Sequence, residues 1–121
     1  MSQIRRLLGQ RGEAAAEAHL LRRGYRILAR NYRCPLGELD LVAEEGGAVV
    51  FIEVKTRRAG RAGSGAEAIS PHKRLRLIRL ARYYLAVHGL AEASCRFDVV
   101  TLSVRRGRAR LDVLHNAFQA G

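Results

Sequence analysis

The sequence predicts an α/β fold, one mixed β-sheet flanked by helices, with residues 1–121 forming a single domain. Three observations carry this prediction. An alanine- and leucine-rich helical segment opens the chain, and two alternating runs meet at Gly46-Gly47 as a hairpin. A second helix with a strong start signal then separates that hairpin from two further strand-like runs. With 48% hydrophobic and 27% charged residues, the 121-residue chain has the profile of a globular protein with a modest core.

The firm part of the first helix is Glu13 to Arg23, with Gly24 as its stop and Arg22-Arg23 suited to the negative end of the helix dipole. Gly9 and Gly12 predict a break before it. Glu13 and Glu17 stand one turn apart on one face, and on residue type alone both read as solvated or as favourable near the helix start. A short strand, Tyr25 to Ala29, follows, and Asn31, Tyr32 and Arg33 lead to Pro35.

The hairpin carries the chemistry. Glycine supplies the positive φ of a two-residue turn, so Glu45 pairs with Ala48 and Asp40 comes opposite Glu53. Alternation puts Val49, Phe51, Glu53, Lys55 and Arg57 on one face, with Glu38, Asp40 and Val42 pointing the same way. Facing carboxylates repel unless a positive charge sits between them. Lys55 or Arg57 can supply it as an ordinary ion-pair network; a hard divalent cation, Mg²⁺ or Mn²⁺, is the sharper alternative.

The small, basic stretch from Arg58 to Ala66 reads as a loop without the GK[ST] ending of a phosphate-cradling P-loop. Ser70 as N-cap and Pro71 at the first helical position start the second helix, and Gly89 ends it. Leu75, Leu77, Ile78, Leu80, Ala81, Tyr84 and Leu85 form its broad apolar face; Lys73, Arg76, Arg79 and Tyr83 lie on another. Arg96 to Val104 and Arg110 to Leu114 predict a second hairpin, in which Asp98 is expected to pair with Arg96. His19 and His115 lack partners at metal-ligand spacing.

Charge points to the partner. There are 22 Lys plus Arg against 11 Asp plus Glu, a net +11, which favours a polyanion and nucleic acid first. Residues 34–54 nonetheless hold five acids and no base, an acidic island in a basic chain. Lys55 and Lys73 are its only lysines, so a compact ammonium at position 55 hints at a required point charge. Arg57, Arg61, Lys73, Arg76 and Arg79 are candidates for phosphate contacts. Cys34 and Cys95 are isolated and read as reduced thiols. No apolar run approaches the ~18 residues of a membrane span, and no signal-peptide core precedes Glu13, so a cytoplasmic location without membrane attachment is expected.

The GELDLVA and VVFIEVKTR runs resemble the PD-(D/E)xK nuclease core. More closely, the chain resembles the YraN-like family of predicted bacterial endonucleases, related to Holliday-junction resolvases. The likeness extends over Arg11-Gly12-Glu13, Gly24-Tyr25, Asn31 to Arg33 and Arg96 to Val99. Leu39 stands where the wider superfamily often has proline. The resemblance implies a restriction-endonuclease-like fold and metal-dependent hydrolysis of branched or junction DNA in repair or recombination, with a homodimer as the cutting form. It implies that Asp40 and Glu53 hold Mg²⁺ or Mn²⁺ with the Val54 carbonyl, and that Lys55 orients water or stabilises charge on the phosphate. A first-helix glutamate, Glu13 with Glu17 as fallback, joins them directly or through water. Two alternatives remain open on the residues: a nucleic-acid-binding protein that keeps the fold without cutting, and a basic RNA-associated scaffold.

Overall fold

A computed structural model of the chain describes the backbone of residues 2–58 and 69–119, and the side chains of residues 12–56, 69–103, 106–108 and 110–119. The elements run α1 (Ser2–Arg22), β1 (Arg26–Cys34), β2 (Gly37–Glu45), β3 (Ala48–Arg58), α2 (Pro71–Val87), β4 (Cys95–Arg105) and β5 (Arg108–Phe118). They form one mixed five-stranded sheet in the order β1-β2-β3-β4-β5, an α/β architecture consistent with a restriction-endonuclease-like fold. All neighbours are antiparallel except β3 and β4, the parallel pair that α2 connects.

Each helix seals one face of the sheet. Ala16 and Leu20 of α1 pack with Leu41, Ala43, Val50, Ile52 and Val100. On the opposite face Leu77, Leu80 and Tyr84 of α2 pack with Leu39, Val42, Phe51, Phe97 and Val99. Covered on both sides, β3 buries Val49, Val50, Phe51 and Ile52 in succession, which is why it reads as a continuous apolar run.

Several expectations change. No break interrupts α1 at Gly9 or Gly12. A Cβ on Gly12 would lie 3.0 Å from Thr56 Oγ1 and 3.2 Å from Leu102 Cδ2, so this glycine permits close approach of helix and sheet. Strand β1 runs past Ala29 to Cys34, because its edge pairs along β2 as far as Cys34–Gly37. Leu75 is 56% exposed, since it lies on the opposite side of α2 from the stripe centred on Leu77, Ala81 and Tyr84. Strand β5 extends to Phe118 and takes in His115 and Asn116. Cys34 and Cys95 are both free.

Asp98 is fully buried, and Arg96 donates to it as expected (Nε to Oδ1, 3.1 Å). The carboxylate also accepts from the Tyr25 hydroxyl at 2.8 Å and from the Asn116 N–H at 2.8 Å, while Arg96 reaches Glu45 at 2.7 Å. Burial, then the bond to Asp98, push the Tyr25 hydroxyl up to about 12, which keeps it a donor. The network ties the residue before β1 to β2, β4 and β5. Replacing Asp98 by Ala leaves Arg96 with Glu45 as its carboxylate partner and strips the Asn116 N–H of its acceptor, and should cost about 1–3 kcal/mol in urea unfolding. An effect below about 1 kcal/mol would show that the network is not a structural tie.

Candidate metal and phosphate site

The hairpin turn sits where the glycines place it. Gly46 and Gly47 both have positive φ, and Glu45 pairs with Ala48, Glu44 with Val49 and Leu41 with Ile52. Beyond Leu41–Ile52 the regular ladder ends. The Val54 N–H then donates to Asp40 Oδ2 at 2.9 Å, so a side-chain carboxylate substitutes for a strand carbonyl.

A matching irregularity lies one strand away. Asn31 has φ +49°, a left-handed conformation that asparagine tolerates better than most residues. Arg30 pairs with Glu17 of α1, whereas Tyr32 packs edge-on against Tyr84 of α2 at 5.0 Å. Two residues apart, they face opposite sides. The same inversion appears on β2, where Leu41 joins the α1 core and Leu39 the α2 core. Since Arg30 pairs with Leu41 and Tyr32 with Leu39, Asn31 and Asp40 stand at the crossing point. Strict alternation therefore fails here. Glu38 does not join Asp40 and Val42 on one face; it lies beside Arg33 at 3.7 Å and raises the Glu13 carboxyl through repulsion.

Asp40 and Glu53 do come together. Burial first, and then the Glu53 charge, push the Asp40 carboxyl up to about 7, against the opposing effect of the Val54 N–H. Lys73 Nζ lies 3.0 Å from Glu53 Oε1, with the two side chains 24% and 11% exposed. Lys55 lies beside Lys73; burial, followed by that neighbouring ammonium, lowers the Lys55 pKa. For Lys73, burial is outweighed by Glu53, and its pKa rises.

The sequence groups Lys73 on one face with Arg76 and Arg79; the structure brings its ammonium into the cluster instead. The signal was its spacing: Lys73, Leu77, Leu80 and Tyr84 follow one another at four, three and four residues, the spacing of a buried stripe. The chain's only two lysines thus meet at one point. Arg76 and Arg79 are exposed on α2. Arg61 and nearly all of the predicted basic loop lie outside the described residues, and of Arg57 only the backbone, in β3, is described.

The first-helix carboxylates separate clearly. Glu17 is clamped by Arg30, whose Nε reaches Glu17 Oε1 at 2.7 Å. Glu13 is held by the Asn31 side chain, and its carboxyl is raised by burial and by repulsion from Glu38 and Glu53. Both line an open cleft of about 230 Å³ with Ala14, Arg30, Asn31 and Leu41. Among the described residues, no three His, Cys, Asp or Glu side chains lie close enough to hold a metal by themselves. The donor set still suits Mg²⁺ or Mn²⁺: Mg²⁺ keeps several waters and takes one or two carboxylates, which Asp40 and Glu53 supply. The Val54 carbonyl is adjacent in sequence to Glu53, and Glu13 stands further off, within electrostatic range.

Residues 12–102 match the model of the uncharacterised protein family UPF0102. A UPF0102 protein of Moorella thermoacetica is 54% identical over 120 residues, covering 98% of this chain and all of that one. Another, from Symbiobacterium thermophilum, is 49% identical over 116 residues, covering 95% and 98%. Among solved structures, Pyrococcus furiosus SfsA in complex with Ca²⁺ matches at 21% identity and a TM-score of 0.38. The match covers 91% of this chain and 62% of that longer one, a likeness too slight to bear on fold or chemistry.

The Asp40 shift has a sign that can be tested. Its carboxyl is raised above the ordinary 3.8, so its contribution to stability is intact below about pH 4 and is lost as pH rises through about 7. In chelator-treated buffer Asp40→Asn, which can still accept from Val54 N–H, should exceed wild type by about 1–3 kcal/mol at pH 8. The gain should vanish near pH 4. Urea unfolding at both pH values checks this, and a variant less stable at pH 8 contradicts it.

Proposed function

The chain belongs to the UPF0102 family, the YraN-like family, and we propose that it is a metal-dependent endonuclease hydrolysing phosphodiester bonds in DNA. One observation carries the reading. Two largely buried carboxylates, Asp40 and Glu53, sit together beside the Lys55 ammonium in a chain of net charge +11. Burying like charges side by side is unfavourable, and a site that retains such a pair suits a cation or a proton.

Asp40 and Glu53, with the Val54 carbonyl, would hold Mg²⁺ or Mn²⁺. When bound, the ion would supply Lewis-acid polarisation of the scissile phosphodiester. Val54 N–H fixes the Asp40 carboxylate, and Glu53 is anchored in the most enclosed strand. Lys55, its pKa lowered, would orient the attacking water or stabilise charge developing on the phosphate. Glu13, within electrostatic range of Glu53, would act through water. Exposed Arg76 and Arg79, with Arg57 and Arg61, would contact the phosphate backbone without reading sequence, which favours recognition of branched or junction DNA. Action as a homodimer in the cytoplasm, on repair or recombination intermediates, completes the reading. No helix among the described residues is long and apolar enough to cross a membrane.

A second reading has its own support. Lys55 and Lys73 already neutralise the carboxylates, so the cluster can stand as a structural ion network in a non-cutting DNA-binding protein. Cleavage of a labelled panel (four-way junction, flap, single strand, linear duplex) with Mg²⁺ or Mn²⁺ separates the two. Incision should require metal and fall more than about 100-fold in Glu53→Ala, since even residues one step removed from a metal cost up to that much. Salt-sensitive binding without incision, unchanged by metal or mutation, favours the second reading. A finer contrast lies on α1. Glu13→Gln should lower the rate about tenfold and Glu17→Gln hardly at all. The reverse order would transfer the role to Glu17.

A further inference from the structure

With both carboxylates ionised, the charges around Glu53 balance with no ion present: Asp40 and Glu53 against Lys55 and Lys73. A divalent cation between the carboxylates would leave the cluster with two positive charges in excess, and the two neighbouring ammonium groups would be the groups driven apart. They are not equally held. Lys55 projects from β3 at the middle of the sheet. Lys73 stands in the first turn of α2, where its own N–H caps onto Ser70 Oγ at 3.1 Å and no acidic residue is present. A positive charge there meets the positive end of the helix dipole. Glu53 is thus the specific partner that draws the Lys73 ammonium inward.

We propose that Lys73 is the resident counter-cation of this site. It neutralises Glu53 while no divalent ion is bound, yields that carboxylate when one binds, and then pairs with a phosphate oxygen of the nucleic-acid backbone. The inference rests on the nuclease reading of the Asp40–Glu53 pair and deepens it, because it makes metal and DNA binding mutually supportive. It also accounts for a lysine at this position in a chain with 20 arginines. A guanidinium would clamp Glu53 with two parallel hydrogen bonds, whereas an ammonium on a flexible stem forms a point contact that can be released.

The test is Mn²⁺ binding to the full chain without DNA, followed by calorimetry and by the paramagnetic signal of free Mn²⁺. Lys73→Gln and Lys73→Ala should both bind Mn²⁺ about tenfold more tightly than wild type, within the usual range of coupling between sites. Lys73→Arg should bind it less tightly, and Glu53→Gln should lose it. With a labelled four-way junction, Ca²⁺ should strengthen wild-type binding, and Lys73→Gln should lose most of that gain. Two outcomes overturn the proposal in distinguishable ways. If Glu53→Gln abolishes Mn²⁺ binding while both Lys73 variants bind no more tightly than wild type, the metal site stands and the counter-cation role fails. If Glu53→Gln binds Mn²⁺ like wild type, the metal-site reading falls and the proposal with it.

Discussion

The arrangement of the site depends on the hydrogen bond from Val54 N–H to the Asp40 carboxylate. The β2–β3 ladder stops at Leu41–Ile52, and an amide left unpaired in a partly buried position costs about 1–3 kcal/mol. By satisfying it, Asp40 is drawn into a position that charge alone would disfavour, next to Glu53. The price of that position, burial first and the Glu53 charge second, is visible in a carboxyl held up to about 7. The left-handed Asn31 across the strand makes the geometry available, by inverting which residues face which helix.

Strand β3 passes from core to chemistry within one residue. Ile52 is sealed under α1, and Glu53 opens towards α2 with an ammonium above it. The helices make different contributions. Helix α1 approaches closely because Gly12 has no side chain to obstruct Thr56 and Leu102, and it presents Glu13 on the wall of the cleft. Helix α2 delivers Lys73 from the same stripe that fills the core. Packing and charge placement are therefore set by one helix orientation.

Much of this was legible in the sequence because its causes are local. The Gly46-Gly47 turn sets the register that brings Asp40 to Glu53, and Ser70-Pro71 sets the start of α2. The Asp98–Arg96 pair needs only two residues on one strand face. What escaped has remote causes or was sorted by the wrong property. The face of Glu38 depends on the backbone at Asn31, in another strand, and the role of Gly12 depends on residues far along the chain. Charge groups Lys73 with Arg76 and Arg79, whereas its spacing from Leu77, Leu80 and Tyr84 points inward.

The parallel pairing of β3 with β4 also bears on how the site assembles. The β1–β2 and β2–β3 hairpins close over short turns, but Val49 must find Cys95 across the whole crossover. Such long-range pairing carries a loop-closure entropy that contacts repay only after it forms, so it tends to come late in folding. The three-stranded N-terminal meander can thus place Asp40 and Glu53 side by side before α2 docks. Lys73 arrives with that docking. Docking of the crossover is then also the step that sets an ammonium 3.0 Å from Glu53, beside a carboxylate pair that the β2–β3 hairpin has already brought together.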